Sequence, residues 1–175
     1  MNIVLIGYRC TGKSAVGKAL AGDLDRLLID TDALIEEKAG APIGEIVEKK
    51  GWEGFRDIET KVVQEISEKD DLVIATGGGI VLREMNTRRL KANGLLIWLR
   101  ARPGVILERM AQDLSMGKGR PPLTLKSPVE EIKEQLAFRD PLFREAGDLV
   151  VDTDDLLIPE VAEAVLRALS GRLGE

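Results

Sequence analysis

Histidine is absent from all 175 residues. That absence removes imidazole general bases, histidine-liganded zinc and any Ser-His-Asp triad together. Cysteine occurs once, at Cys10, so neither an internal disulfide nor a thiolate zinc cluster can form within one chain. A lone thiol agrees with a reducing, cytoplasmic setting. The chain has no basic block and no interleaving of aromatic with basic residues, and its net charge is −5. An electrostatic footprint for nucleic acid is therefore not expected. A small anionic ligand stays open, because a few local arginines outweigh a weakly acidic average. No apolar run approaches the roughly 18–20 residues of a membrane span. The first apolar segment begins at Asn2–Ile3 without a positively charged leader, so no signal peptide is expected either.

What is present is a regular alternation. Short, nearly continuous apolar runs occur at "NIVLIG" (2–7), "LLID" (27–30), "LVIAT" (72–76), "LLIWL" (95–99) and "DLVVD" (148–152). Such runs mark strands covered on both faces. Helical periodicity fills the intervals: "KSAVGKALAGDL", "DALIEEKAG", "IGEIVEKKG", "GFRDIETKVVQEISEKD", "RPGVILERMAQD" and "SPVEEIKEQLAFRDPLFREAG". A last helix, "PEVAEAVLRALSGR", is expected to open with Pro159 at its first position. Strand–helix alternation predicts an α/β fold with a parallel sheet, organised as one domain over residues 1–175. No internal repeat or low-complexity segment interrupts it. The segment from Leu114 to Pro128, rich in Gly, Pro and Lys, reads as a lid or binding loop, or else as disorder without function.

Behind the first strand, "GYRCTGKS" (Gly7 to Ser14) matches G-x-x-x-x-G-K-[ST]. The spacing lets a loop wrap phosphate with its backbone N–H groups. Lys13 reaches the β- and γ-phosphates, Ser14 offers Mg²⁺ a hydroxyl, and the following helix points its positive end at the anion. With a strand before and a helix after, this identifies a nucleotide site without naming a reaction. Neither N-K-x-D nor D-x-x-G nor G-x-G-x-x-G occurs, so guanine-switch and dinucleotide readings have no support.

Other residues suggest a second substrate, each against a plainer alternative. Asp30 ends the second strand and Asp32 follows; strand C-terminal ends are where ligands sit in open α/β sheets. One carboxylate can support Mg²⁺ while the other meets a nucleophilic hydroxyl, or Asp32 merely caps a helix starting at Ala33. Arg56 and Glu59 share a helical face, as a surface ion pair or as a buried arginine oriented to clamp a carboxylate. Gly77, Gly78 and Gly79 form a tight turn or bare the backbone for a ligand. Arg120, held extended by Pro121, is a solvated loop cation or an arginine finger supplied in cis. Arg139 reads as a cation near a helix C-terminus, with Pro141 close behind.

Taken in order, "GYRCTGKS", "DTD", "GFRDIE", "GGG", "GRPPL" and "FRDPLF" resemble the shikimate kinases, small members of the nucleoside-monophosphate-kinase-like group of P-loop proteins. The ending "VDTDDLLIPEVAEAV" is similar to that family's adenine-side segment. The resemblance covers essentially the whole chain. It implies a three-layer fold with a five-stranded parallel sheet of order 2-3-1-4-5, flanked by helices. A substrate-binding region falls at about 31–60 and a lid at about 111–126. It implies transfer of the ATP γ-phosphoryl group to the 3-hydroxyl of shikimate, with Mg²⁺, by a cytoplasmic monomer. Lys13, Asp32 and Arg120 take the catalytic roles. Gly7, Cys10, Thr11, Gly12, Lys13, Ser14, Ala15, Arg109 and Arg120 attend the nucleotide, Arg109 against adenine. Asp32, Arg56, Gly77, Gly78, Gly79 and Arg139 hold shikimate, and Ser14 and Asp30 serve the metal.

Two departures stand out. The family often has glycine where Cys10 stands and threonine where Ala15 stands. Beside Lys13 and a helix N-terminus, Cys10 is either a small space-filling residue or a thiol of lowered pKa. The alternatives in function are another small-molecule kinase, for gluconate or a nucleoside monophosphate, and a non-catalytic nucleotide-binding regulatory module.

Overall fold

A computed structural model of the chain describes residues 1–115 and 127–173. Five parallel strands, β1 (Asn2–Ile6), β2 (Leu27–Asp30), β3 (Leu72–Ala75), β4 (Gly94–Arg100) and β5 (Leu149–Asp152), form one sheet in the order β2-β3-β1-β4-β5. The expected order is the observed one. In the central strand, Val4 and Ile6 face one core and Ile3 and Leu5 the other. That two-sided burial explains why the strands read as unbroken apolar runs.

The second of these cores is closed by α1 (Lys13–Asp23), through Val16 and Leu20, and by α7 (Ile158–Leu173), through Val161 and Val165. Over the first core lie α2 (Thr31–Ala39), α3 (Ile43–Ser67), α4 (Glu84–Ala92), α5 (Pro103–Ser115) and α6 (Pro128–Ala146), contributing Ile35, Val62, Leu90, Ile106 and Phe143 respectively. Sheet and helices thus form the three layers expected.

Four local readings change. Helix α4 was not foreseen from "EMNTRRLKA", because much of its buried face is polar, Asn86 and Thr87 beside Leu90. A stripe of that kind leaves no apolar period to detect. Helix α3 joins the two separately expected helices across Gly51, whose φ of 69° and ψ of 174° break the helical run. Helix α7 opens at Ile158, which puts Pro159 second rather than first. Helix α5 runs on through residues 111–115, the first stretch assigned to a lid; residues 116–126 of that assignment lie outside the described residues.

Candidate active site

The phosphate loop leaves β1 at Gly7 and ends at Gly12, which caps α1 in the left-handed conformation at φ 91°. The loop is tied to itself at the Tyr8 carbonyl, which accepts from Lys13 Nζ at 2.7 Å and from Thr11 Oγ1 at 2.8 Å. Lys13 and Thr11 are buried, whereas Ser14 and Ala15 sit exposed on the first turn of α1. Lys13 therefore stays inside the loop that its N–H groups frame, at the positive end of α1. Ile158 closes over the same turn: a Cβ on Gly12 would stand 3.3 Å from its Cδ1.

Cys10 holds a left-handed φ of 60°, a conformation that glycine adopts without strain. Its Sγ donates to Asp113 Oδ2 at 3.4 Å. Burial, and then Asp113, push the thiol up to about 11, outweighing Arg9 and Lys13. The reading of a lowered thiol pKa is thus overturned. The helix N-terminus loses to desolvation and to a carboxylate that α5 brings alongside.

Asp30 and Asp32 divide their work differently from the simplest reading. Helix α2 begins at Thr31 and Asp30 is its cap, with Oδ1 accepting from Asp32 N at 3.0 Å and Ala33 N at 3.3 Å. The capping role proposed for Asp32 therefore belongs to Asp30, and contributes about 1 kcal/mol. The other oxygen, Oδ2, accepts from the Ser14 hydroxyl at 2.5 Å. Asp32 is 7% exposed and turns its Oδ1 toward Gly77, where a Cβ would stand only 2.6 Å away.

Arg56 is 8% exposed and Glu59 fully buried, with Arg56 Nη1 donating to both carboxylate oxygens at 2.7 and 2.8 Å. The surface-pair alternative fails: this is a buried arginine oriented by a carboxylate. Burial pushes the Glu59 carboxyl up, with Arg56 opposing. Arg139 sits well inside α6 and not at its C-terminus, since Pro141 is carried within the helix. Its Nη1 donates to the Gly78 carbonyl at 3.0 Å, and it is 6% exposed. Burial pushes its pKa down, yet an arginine starting so high stays charged.

The three glycines explain how these groups meet. A Cβ on Gly79 would fall 2.0 Å from Arg56 Nη2, and one on Gly77 would strike Asp32 and approach Glu59 Oε1 at 3.2 Å. A Cβ on Gly78 would press the Arg9 backbone N at 3.0 Å. The run therefore makes room chiefly for the site's own charged side chains, and joins them to the phosphate loop.

Arg109 reaches from α5 to the Cys10 carbonyl at 3.2 Å and to Thr153, Oγ1 at 3.0 Å and carbonyl at 2.6 Å. This joins the segment after β5 to the phosphate loop. Arg120 lies outside the described residues. Sequence reasoning passed over Tyr8, Arg9, Glu131 and Thr31. Arg9 pairs with Glu131, buried on α6, and Thr31 Oγ1 accepts from Gly77 N at 2.9 Å. No local signal announces partners 122 or 46 positions apart.

The family model for shikimate kinase matches residues 9–170. A shikimate kinase from Caldanaerobacter subterraneus subsp. tengcongensis is 46% identical over 174 residues, spanning 98% of this chain and 99% of that protein. One from Thermodesulfovibrio yellowstonii is 45% identical over 166 residues, 95% of this chain and 93% of its own length. A shikimate kinase from Acinetobacter baumannii, solved in complex with shikimate, superposes with a TM-score of 0.91 at 35% identity, covering 98% of this chain and 93% of that one. A gluconokinase from Sinorhizobium meliloti reaches a TM-score of 0.56 at 19% identity, over 98% of this chain and 94% of that one, a likeness of fold alone. The phosphate loop, the buried charged groups around Gly77–Gly79 and these full-length likenesses converge: the chain belongs to the shikimate kinase family.

Proposed function

We infer that the chain is an ATP-dependent phosphotransferase that phosphorylates the 3-hydroxyl of shikimate, giving shikimate 3-phosphate and ADP. The observation that carries this reading is the arrangement around Gly77–Gly79. Two buried arginines and a buried carboxylate converge there, and the middle glycine abuts the phosphate loop. A hydroxylated carboxylic acid fits such a site, its acid toward Arg139 and Arg56 and a hydroxyl toward Asp32. Arg56 is held by Glu59, so it offers its remaining N–H groups in a preset direction. Asp32 is placed to accept the hydroxyl proton as the oxygen attacks phosphorus.

Lys13 and the loop N–H groups orient the β- and γ-phosphates, and Arg109 with the segment after Thr153 borders the nucleotide. Arg120 is assigned by motif to neutralise charge on the transferred group. The Ser14 hydroxyl and Asp30 carboxylate, 2.5 Å apart, are hard oxygen donors of the kind that suit Mg²⁺. When bound, that ion offsets phosphate charge; the chain's part is to hold those two oxygens beside the loop. Residues 1–175 act as one kinase unit, with 31–60 carrying the Asp32 and Arg56 contacts to substrate. A cytoplasmic monomer is the simplest setting, and among the described residues no helix is long and apolar enough to cross a membrane.

The direct test is ADP release from MgATP with shikimate, gluconate, AMP and CMP supplied separately. Shikimate alone is expected to stimulate turnover. A rate with shikimate no higher than with ATP alone would sink the reading.

A further inference from the structure

The ring of Tyr8, the chain's only tyrosine, is 1% exposed and sits in the phosphate loop. The guanidinium carbon of Arg139 lies 5.5 Å from its centroid and that of Arg9 lies 5.7 Å away. The two cations are balanced differently. Arg9 pairs with the buried carboxylate of Glu131. Arg139 makes no ion pair among the described residues; its hydrogen bond goes to the neutral Gly78 carbonyl, and its buried Nε has no partner. Arg56, across the glycine run, already shares its charge with Glu59.

We propose that Tyr8 is a positioning residue for the substrate carboxylate: its ring holds the Arg139 guanidinium in place without cancelling its charge. An aromatic face attracts a cation through its quadrupole, most strongly where water is excluded. A carboxylate in the same place would hold the arginine too, but would compete with the incoming acid. The ring and the Gly78 carbonyl are neutral, so they leave the guanidinium charge to the substrate rather than to an ion pair. Arg56 contributes direction, fixed by Glu59, and Arg139 contributes charge that no ion pair among the described residues takes up, fixed by Tyr8. This rests on Arg139 as a ligand of the shikimate carboxylate. Among the described residues the buried Tyr8 hydroxyl makes no hydrogen bond of standard geometry, and the side chain that approaches it as a donor is Arg9, so the ring rather than the oxygen is the part assigned to Arg139.

The test compares Tyr8→Phe with Tyr8→pentafluorophenylalanine in the full chain, since the two rings fill nearly the same space with opposite quadrupoles. Tyr8→Phe is expected to retain the shikimate KM. The fluorinated ring should raise that KM about five- to thirtyfold, with kcat and the ATP KM little moved. An unchanged shikimate KM, or an equal rise in both KM values, overturns the proposal, because a space-filling role predicts one or the other. In an Arg139→Gln background the effect of fluorination should vanish; its persistence at full size would assign it to Arg9 and overturn the proposal. If Arg139→Gln by itself leaves the shikimate KM unmoved, the carboxylate role of Arg139 fails and Tyr8 falls with it. A raised KM in Arg139→Gln, together with no effect of fluorination in the otherwise unaltered chain, rejects Tyr8 alone.

Discussion

Asp32 and Cys10 show how far a side chain's chemistry depends on what stands beside it. Asp30 takes the α2 cap, and that leaves the Asp32 carboxylate turned toward the glycine run. Asp32→Asn keeps the shape and removes the proton acceptor. We expect kcat to fall about 10²–10⁴-fold with the ATP KM nearly constant, read by steady-state kinetics. A kcat close to that of the unaltered chain would take Asp32 out of the base role. Cys10 is predicted to be inert at neutral pH. With its pKa raised to about 11, the thiol stays protonated until the solution is strongly alkaline. Its iodoacetamide alkylation should rise about tenfold per pH unit between pH 7 and 10, following the thiolate fraction. An unfolded thiol ionises near 8.5, so the folded state, which keeps the proton, loses stability relative to the unfolded one as pH climbs from there toward 11.

At the scale of elements, the decisive feature is the break in α3. Gly51, at φ 69° and ψ 174°, occupies a region open essentially to glycine, and it aims the second half of the helix with Phe55, Arg56 and Glu59 inward. Gly51→Ala should cost about 1–3 kcal/mol in a denaturant titration and raise the shikimate KM by misplacing Arg56. Gly22→Ala is the contrasting case: the site lies in α1, φ is not positive and no atom stands within 4 Å of the added Cβ. There the same change should stabilise, by up to about 1 kcal/mol. Two separate helical patterns around Gly51 were legible in the sequence. Their direct junction was not, because a glycine marks a break without giving its angle. Helix α4 was hidden for a related reason: periodicity reports burial of apolar groups, and Asn86 and Thr87 are buried polar ones.

For the whole molecule, the strand C-terminal ends bring β1, β2 and β3 side by side, so that the phosphate loop, Asp30, Asp32 and Gly77–Gly79 share one rim. Ligands filling that rim should stabilise the fold as a unit. At concentrations about 100-fold above their Kd, shikimate is expected to add about 2.7 kcal/mol, a Tm rise of about 5–10 °C by scanning calorimetry. Gluconate at the same concentration should leave Tm unmoved.

By itself the sequence determined the α/β alternation, the phosphate loop and the order of charged motifs, because these depend on local spacing and on burial of contiguous apolar runs. It also excluded imidazole chemistry outright. Only the tertiary structure decided which carboxylate caps α2, that Arg56 is buried and Arg139 has no ion partner among the described residues, and that the Cys10 thiol is suppressed rather than activated. The Arg139 and Cys10 outcomes are set by neighbours tens of residues away, through desolvation and charges that no local pattern records. The cap turns instead on where α2 begins, a boundary that apolar spacing does not fix.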